Sequence, residues 1–297
     1  MKKNKYKIYL FGSKSLVGKY IINYLSSIKN VDEIIILSRK KTKGANFINL
    51  DNPQHPENYK FEGNGIVINL APIWSFTNYL NYLQSHDVNN LKKIKNIITC
   101  SSTSVLTKKY SNNIKDKCLV SKLENAENFL VYLSNKFNIP YTIIRPTLIY
   151  GQYKQDKDKN LSKIELALKF LPFIVLPENS GLRQPIHATQ VANVIVRLLK
   201  IDKYKNKIIN IGGDEIISYE EMIKRIRDKK LRNKISSRCI IFTIPSNYFY
   251  FMANILFLIN PNFNAAIYRL CSDFAGFNKA HEIIKTKPLS FPVNDQK

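Results

Sequence analysis

The sequence predicts an α/β fold, a doubly wound parallel sheet with a smaller C-terminal lobe, on three observations. Through the first half of the 297 residues, short apolar runs of strand length alternate with segments that read as helices. That order is left by parallel strands joined by crossover helices. The first run feeds directly into a turn bearing two glycines, Gly12-Ser13-Lys14-Ser15-Leu16-Val17-Gly18. Past Arg145-Pro146 the alternation loosens, which marks the change to a second region.

Taken in order, Tyr6 to Phe11 reads as a strand, Leu16 to Ile28 as a helix, Glu33 to Leu37 as a strand, Asn46 to Leu50 as a short strand and Gly65 to Leu70 as another. A helix around Tyr79 to Asn90, a strand at Asn96 to Cys100, a helix from Lys122 to Lys136 and a strand at Tyr141 to Ile144 complete the sheet half. Beyond it, Lys154 to Asn160 reads as a charged loop, and a helix rich in Leu and Phe follows up to Pro172. Ala188 to Leu199 reads as a helix, and Ile208 to Ile211 as a strand closed by Gly212-Gly213. Ser218-Tyr219-Glu220-Glu221 opens the next helix as a capping box, Ser218 accepting from first-turn amides while Glu221 reaches back.

A hydrophobic content of 44% suits a globular protein, and the chain is long enough to bury a large core. The net charge of +24 raises nucleic acid and anionic membranes as partners. Its lysines and arginines are spread among Asn, Ile and Tyr rather than gathered in one patch, so no nucleic-acid partner is expected. Cys100, Cys118, Cys239 and Cys271 lie far apart without a C-x-x-C pair, which predicts neither a metal site nor a disulfide framework and suits a reducing cytoplasm. The run Ile8 to Phe11 is too short for the core of an export signal. The most membrane-like stretch, Ile240 to Ile259, is broken by Pro245, Ser246, Asn247 and Asn254. It reads as a pair of amphipathic helices, with peripheral membrane contact through Tyr248, Phe249, Tyr250 and Phe251 as the alternative.

The glycine turn carries the first chemical signal. Between a strand and a helix, such a turn lets the backbone approach a pyrophosphate, which free amides and the helix dipole then hold. Gly12 supplies the turn and Gly18 the close packing of helix on strand. The second strand ends in Leu37-Ser38-Arg39-Lys40, with two cations and no acidic residue for a ribose 2′-hydroxyl. A 2′-phosphate is their natural partner, which favours NADP over NAD. Leu50-Asp51, Asn69-Leu70-Ala71-Pro72, Ser101-Ser102-Thr103-Ser104-Val105 and Cys118-Leu119-Val120-Ser121-Lys122-Leu123-Glu124 follow in order. Ile144-Arg145-Pro146-Thr147-Leu148-Ile149-Tyr150-Gly151, Arg183 to Ala192 and Ile211-Gly212-Gly213 come after them.

In this order the segments resemble the extended, atypical short-chain dehydrogenases/reductases of the NAD-dependent epimerase/dehydratase family, nucleoside-diphosphate-sugar epimerases among them. The resemblance covers nearly the whole chain and is weakest over the last forty residues. It implies a Rossmann-type NAD(P)-binding domain over 1–152 plus 183–213 and a substrate-binding lobe over 153–182 plus 214–297. It implies cofactor contacts from Gly12, Ser15, Leu16, Val17, Gly18, Arg39, Lys40, Leu50, Asp51, Asn69, Leu70, Ala71, Pro72, Lys122 and Pro146. Asp51 matches the family's adenine-contacting residue. Arg183 matches an arginine that binds the substrate diphosphate, with a surface position as the alternative, and His187 reads as a packing residue. A small-molecule substrate, a nucleotide sugar, and a homodimer built through two helices are implied as well.

Three positions depart from the pattern, and one is Gln190, which stands where the family's Arg-x-x-x-x-His-x-x-Asp-Val-Ala segment has its acidic residue. The middle glycine of Gly-x-x-Gly-x-x-Gly is Ser15, which adds a side chain where the phosphates pass. The catalytic motif is Tyr-x-x-x-Lys, and its tyrosine position is Cys118. In the family the tyrosine handles the substrate proton, the lysine lowers the tyrosine's pKa and holds the nicotinamide ribose, and a Ser or Thr orients the substrate. Ser102, Cys118 and Lys122 are thus the expected catalytic set. A thiol of ordinary pKa about 8.5 beside a cation is chemically able to exchange protons, but it reaches less far than a phenol. The favoured reading of Cys118 is a small buried hydrophobe on a helix. Two functions stay open: a sugar-nucleotide epimerase, dehydratase or reductase, and a non-catalytic NAD(P)-binding sensor, scaffold or assembly factor.

Overall fold

In the computed structural model the first apolar run, Tyr6–Phe11, is a strand whose last four residues are buried. The structure describes residues 5–111, 113–232, 239–251 and 269–293. In chain order the elements begin β1 (Tyr6–Phe11), α1 (Leu16–Leu25), β2 (Val31–Ser38), β3 (Asn46–Phe47), β4 (Gly65–Asn69), α2 (Ile73–His86) and α3 (Val88–Leu91). Next come β5 (Ile94–Cys100), α4 (Ser104–Thr107), α5 (Ile114–Phe137), β6 (Tyr141–Pro146), β7 (Ile149–Tyr150), β8 (Gln152–Tyr153), β9 (Asp156–Lys157) and α6 (Lys159–Phe170). They are followed by β10 (Phe173–Pro177), β11 (Leu182–Arg183), β12 (Ile186–His187), α7 (Ala188–Leu198), β13 (Lys207–Gly212), β14 (Ile217–Ser218) and α8 (Tyr219–Arg232). The last are β15 (Ile240–Ile244), β16 (Asn278–Lys279) and α9 (Ala280–Ile284).

Two units divide the chain. The first comprises residues 1–105, 118–146 and 188–210, the second residues 106–117, 147–187 and 211–297. The eight-stranded sheet has the order β16-β13-β6-β5-β4-β1-β2-β3. From β1 the chain adds β2 and β3 on one side, then returns to add β4, β5 and β6 on the other. The direction of winding therefore reverses between β1 and β4. In an open parallel sheet the crevice at the carboxyl ends of such strands is where ligands bind. β1 pairs in parallel with β2 and β4, and Phe11 at its end stands beside Leu37 and Asn69. The loops that leave those three ends begin at Gly12, Arg39 and Leu70.

Buried clusters support this arrangement. Phe11, Leu37, Val67 and Ile97 of the sheet pack with Phe76, Tyr79 and Leu83 of α2 and Leu123, Leu130 and Leu133 of α5. Val17, Ile21 and Leu25 recur every four residues along α1 and are buried, the spacing of one apolar helix face. Removing each such side chain from water stabilises the fold by about 1.5–3 kcal/mol.

The second unit has its own core, in which Leu161 and Leu168 of α6, Leu176 of β10 and Met222, Ile223 and Ile226 of α8 come together. β10 and β15 form a two-stranded parallel sheet. α9 and the chain past it are tied down by acidic residues. Asp214 accepts from the amides of His281 at 2.9 Å and Leu289 at 2.8 Å, and Glu215 from that of Phe291 at 2.9 Å.

Several expected elements are displaced, each for a local reason. The Leu16 to Ile28 helix stops at Leu25, after which the Ser26 and Ser27 hydroxyls donate back to the carbonyls of Asn23 and Tyr24. The helix around Tyr79 to Asn90 starts at Ile73 and breaks at Asp87, whose carboxylate caps the short α3 by accepting from Asn90 N. The helix expected from Lys122 begins eight residues earlier at Ile114. Asn113 Oδ1 accepts from the amides of Lys115 at 2.9 Å and Asp116 at 3.3 Å, which is an N-cap. The charged loop holds the β8–β9 hairpin, and its Asp158 caps α6. Only half of the capping box forms: Ser218 Oγ accepts from Glu221 N at 3.0 Å, while the Glu221 carboxylate pairs with Arg225 at 2.7 Å. In place of the first of two helices, Ile240–Ile244 is a strand, and residues 246–251 are helical. The rest of the membrane-like stretch lies outside the described residues. Among those described, no helix is long and apolar enough to cross a membrane.

The unit boundaries also differ from 1–152 plus 183–213. The chain leaves the first unit after Pro146, re-enters it at Ala188, and places 106–117 in the second. The shift follows the pairings of β7 with β12 and of β11 with β14, which keep Ile149 to His187 among second-unit residues.

Candidate functional site

At the carboxyl ends of β1, β2 and β4 the first unit holds a cavity of about 610 Å³. Among the expected cofactor residues, Gly12, Ser15, Arg39, Lys40, Leu50, Asp51, Leu70, Ala71 and Pro72 line it. Leu16, Val17, Gly18, Asn69, Lys122 and Pro146 do not, nor do Ser102 and Cys118.

The turn is shaped by its glycines. Gly12 has φ +73°, a conformation strained for any residue with a side chain. A Cβ there would stand 2.6 Å from the carbonyl carbon of Leu70. One on Gly18 would stand 2.7 Å from the carbonyl oxygens of Gly12 and Ser13. Ser15, in the place of the middle glycine, is the N-cap of α1: its Oγ accepts from Gly18 N at 3.1 Å. The serine thus fastens the first turn of the helix and engages one of the amides that a phosphate would otherwise meet.

Behind the cavity wall, Asn69 is fully buried. Its Nδ2 donates to Thr99 Oγ1 at 2.9 Å and to the Ala71 carbonyl at 3.1 Å, and its Oδ1 accepts from Ala71 N at 3.1 Å. It clamps the Leu70-Ala71-Pro72 loop rather than lining the cavity. Across the cavity, Arg39 Nη1 meets Asp51 Oδ2 at 3.0 Å, and Ser75 Oγ donates to Asp51 Oδ1 at 2.7 Å. The expected 2′-phosphate residue and the expected adenine residue therefore bind each other. Both are exposed, so the pair is weak and opens at little cost. Ser75 and Lys14 line the cavity and were not expected. Lys14 was legible as a cation inside the glycine turn, whereas Ser75 comes from a helix that the sequence placed too late.

The catalytic set is arranged differently. Ser102 Oγ donates to Ser104 Oγ at 3.0 Å and accepts from Ser104 N at 3.1 Å, closing its own turn. Under that turn, Glu127 is buried and receives hydrogen bonds from Ser101 Oγ and from the Arg145 guanidinium. The Pro146 carbonyl accepts from Thr103 Oγ1 at 3.1 Å. Cys118 and Lys122 lie one turn apart on α5 and both are exposed. The expectation of a buried Cys118 is overturned: burial on this helix falls to Val120, Leu123, Ala126 and Glu127. Lys122 forms no ion pair or hydrogen bond among the described residues.

Just before them, the first turn of α5 is fastened within the second unit. Asp116 accepts from Lys108 at 2.8 Å and Ser111 at 3.0 Å, with Arg269 at 3.7 Å. Burial pushes its carboxyl pKa up, but these donors and cations outweigh it and hold the group below the ordinary carboxylate range.

Arg183, expected as a diphosphate ligand with a surface position as the alternative, is not at the surface. It is 7% exposed, sits 4.6 Å from the Phe274 ring centre and 5.2 Å from that of Tyr219, and donates to the carbonyls of Leu182, Ser272 and Arg269. Burial lowers its pKa to about 10. Its two terminal nitrogens hold residues 269–272 against β11. His187 is buried edge-on to Tyr150 with ring centres 5.1 Å apart, a packing position.

Comparison with known proteins matches residues 8–212 to the model of the NAD dependent epimerase/dehydratase family. UDP-glucuronic acid 4-epimerase from Bacillus cereus, solved in complex with NAD, is similar in structure: TM-score 0.60 and 16% identity over 96% of this chain and 94% of that one. RMD from Pseudomonas aeruginosa, solved with NADPH, gives a TM-score of 0.62 and 11% identity over the same shares of the two chains. An 87-residue stretch is 29% identical to "NADH dehydrogenase [ubiquinone] 1 alpha subcomplex subunit 9, mitochondrial" of Dictyostelium discoideum. That stretch is 29% of this chain and spans only 23% of the relative's length.

Proposed function

The chain belongs to the NAD dependent epimerase/dehydratase family, and from that premise we propose that it binds NADP(H) or NAD(H) in the first-unit cavity and acts on a nucleotide sugar. The observation that carries the reading is the cradle at Gly12, where a Cβ would fill the close approach of the glycine turn to Leu70. That space, the N-terminus of α1 and the nearby Lys14, Arg39 and Lys40 fit a dinucleotide, whose negative charge they complement. When bound, such a cofactor supplies hydride acceptance and donation at a sugar carbon.

The chain's own residues supply the rest. Gly12 and Gly18 keep the turn open to a pyrophosphate, and Arg39 and Lys40 favour a 2′-phosphate. Asn69 fixes the loop that walls the cavity, and Lys122 is available to hold a ribose hydroxyl. Relatives solved with NAD and with NADPH support the cofactor class, and a relative named as a UDP-sugar epimerase supports the substrate class.

A second reading is favoured by one specific observation: the proton-transfer position carries the exposed Cys118, and Ser102 spends its hydroxyl on its own turn. In that reading the chain keeps the cofactor and has lost the oxidoreductase step, serving as a sensor, scaffold or assembly factor. Purification followed by heat release and mass spectrometry of bound nucleotide tests the shared half. NADP(H) or NAD(H) is expected in near-equal ratio to protein, or on titration by calorimetry. Absence of both sinks the assignment. Absorbance at the nicotinamide band with a panel of nucleotide sugars then separates the two readings.

A further inference from the structure

Alternation along a strand normally sends one face to the core and leaves the other polar. In the two-stranded sheet of β10 and β15 the inward residues Ile174, Leu176 and Ile241 do join the second unit's core. The outward residues are apolar as well: Phe173 is 53% exposed, Ile240 55% and Phe242 49%. Phe173 and Phe242 meet edge-on with ring centres 6.1 Å apart, so this is a formed surface rather than scattered side chains. At its far end the face is covered, since Val175 and Ile244 pack with the buried Phe249.

The open end continues into α6. Phe170-Leu171-Pro172-Phe173 is a run of exposed residues, with Phe170 69% and Leu171 48% exposed, and Leu166 stands one helical turn before Phe170. The Pro172 carbonyl accepts from Ile240 N at 2.9 Å, which joins this run to the start of β15. Contiguous exposed apolar surface of this kind marks an interaction site.

The charge around it narrows the occupant. Lys163 and Lys169 are exposed on α6 with no acidic partner among the described residues, and Lys169 Nζ lies 5.2 Å from the Phe170 ring centre. Glu165 is held by Lys157 at 3.8 Å. A second copy of the chain would bring like charges together, because each carries +24. An anionic lipid surface takes both parts: aromatic and leucine side chains enter the acyl boundary while lysines meet the headgroups. We propose that the outward face of β10 and β15, with the end of α6, docks this protein on anionic membranes. The proposal does not rest on the cofactor assignment.

Co-sedimentation of the full chain with vesicles of phosphatidylcholine alone, or of phosphatidylcholine with phosphatidylglycerol, tests it. Binding to the anionic vesicles only is expected. Phe170→Ser with Phe173→Ser should lower partitioning by roughly tenfold or more, and Lys163→Glu with Lys169→Glu by a similar factor. Both pairs are exposed, and circular dichroism checks that each variant keeps its fold. Three results would overturn the proposal. One is no binding to either vesicle. Another is binding that salt removes but the phenylalanine variants leave unchanged, which would make it diffuse attraction of a cationic chain. The third is a concentration-dependent dimer in ultracentrifugation that the same variants abolish without any effect on vesicles.

Discussion

The proposed dinucleotide cradle and the proposed catalytic segment stand on the same sheet of the same unit, yet they are built on opposite principles. The cradle is made of backbone: a positive φ at Gly12, a capped helix, and a loop clamped by the buried Asn69. Its few side chains converge on one cavity. The proposed catalytic segment has a firm base, the largely buried Glu127–Arg145 pair under the Ser101–Ser102 turn, but its candidate reactive side chains form no hydrogen bond with one another. Ser102 is spent on its own turn, and Cys118 and Lys122 are exposed. A backbone-made site survives drift in side chains, whereas a proton-transfer site needs each group placed within a fraction of an ångström. On the proposed function, binding and chemistry therefore have separate structural supports, and mutation should separate them.

The largest effect is expected in the cradle. Gly18→Val places atoms where even a Cβ would stand 2.7 Å from two backbone carbonyls, and backbone has no rotamer by which to yield. Overpacking of this sort destabilises the native turn by about 1–3 kcal/mol, and where the turn shifts to relieve it NADPH affinity should fall, by at most the roughly hundredfold to which that energy corresponds. Calorimetry on a variant that keeps its circular dichroism reads the loss. Unchanged affinity would place the nucleotide elsewhere and dissolve the contrast.

Arg39→Ala probes the same cavity more gently. A charge-assisted hydrogen bond to a 2′-phosphate contributes about 1.5–3 kcal/mol, and releasing the exposed Asp51 costs little. NADPH affinity should drop by about tenfold while NADH affinity stays level. Equal affinities for the two nucleotides in wild type, unmoved by the substitution, would mean that Arg39 serves Asp51 alone and that the chain has no 2′-phosphate site.

What was legible in the sequence follows the same division. β1 matches its predicted span, and the loop residues after β1, β2 and β4 line one cavity as their spacing implied, because strand ends in a parallel sheet are set by local apolar runs. The misplaced elements depended on short-range caps: Asp87 splits a helix and Asn113 starts α5 early, through hydrogen bonds that apolar periodicity does not register. The burial of Arg183 has a tertiary cause. Its partners Phe274, Ser272 and Arg269 are remote in sequence, and no spacing shows that an arginine will be consumed by distant carbonyls. The apolar face of β15 was hidden likewise, since a stretch read as helix gives no alternating face.

The smallest effect is expected at Cys118, and it bears most directly on the contrast. The thiol is exposed, stands one turn from Lys122 and does not line the cavity at the ends of β1, β2 and β4. If it performs no proton transfer, Cys118→Ala should leave any turnover of nucleotide sugar within about twofold of wild type, against the roughly 10²- to 10⁴-fold loss that follows removal of a positioned acid–base group. Cofactor affinity should not move in either case, because the cradle is built without this residue, so the two properties are read independently in one preparation. Cys118→Tyr supplies the complementary arm. It sets a phenol of ordinary pKa about 10 one turn from a lysine, the pairing by which a cation lowers a phenol toward neutrality, and should raise hydride transfer from a low starting level. A large loss in the alanine variant, with fold and NADPH affinity retained, would make the thiol the working acid–base group. The catalytic segment would then be a rebuilt site, and the separation drawn between binding and chemistry would not hold.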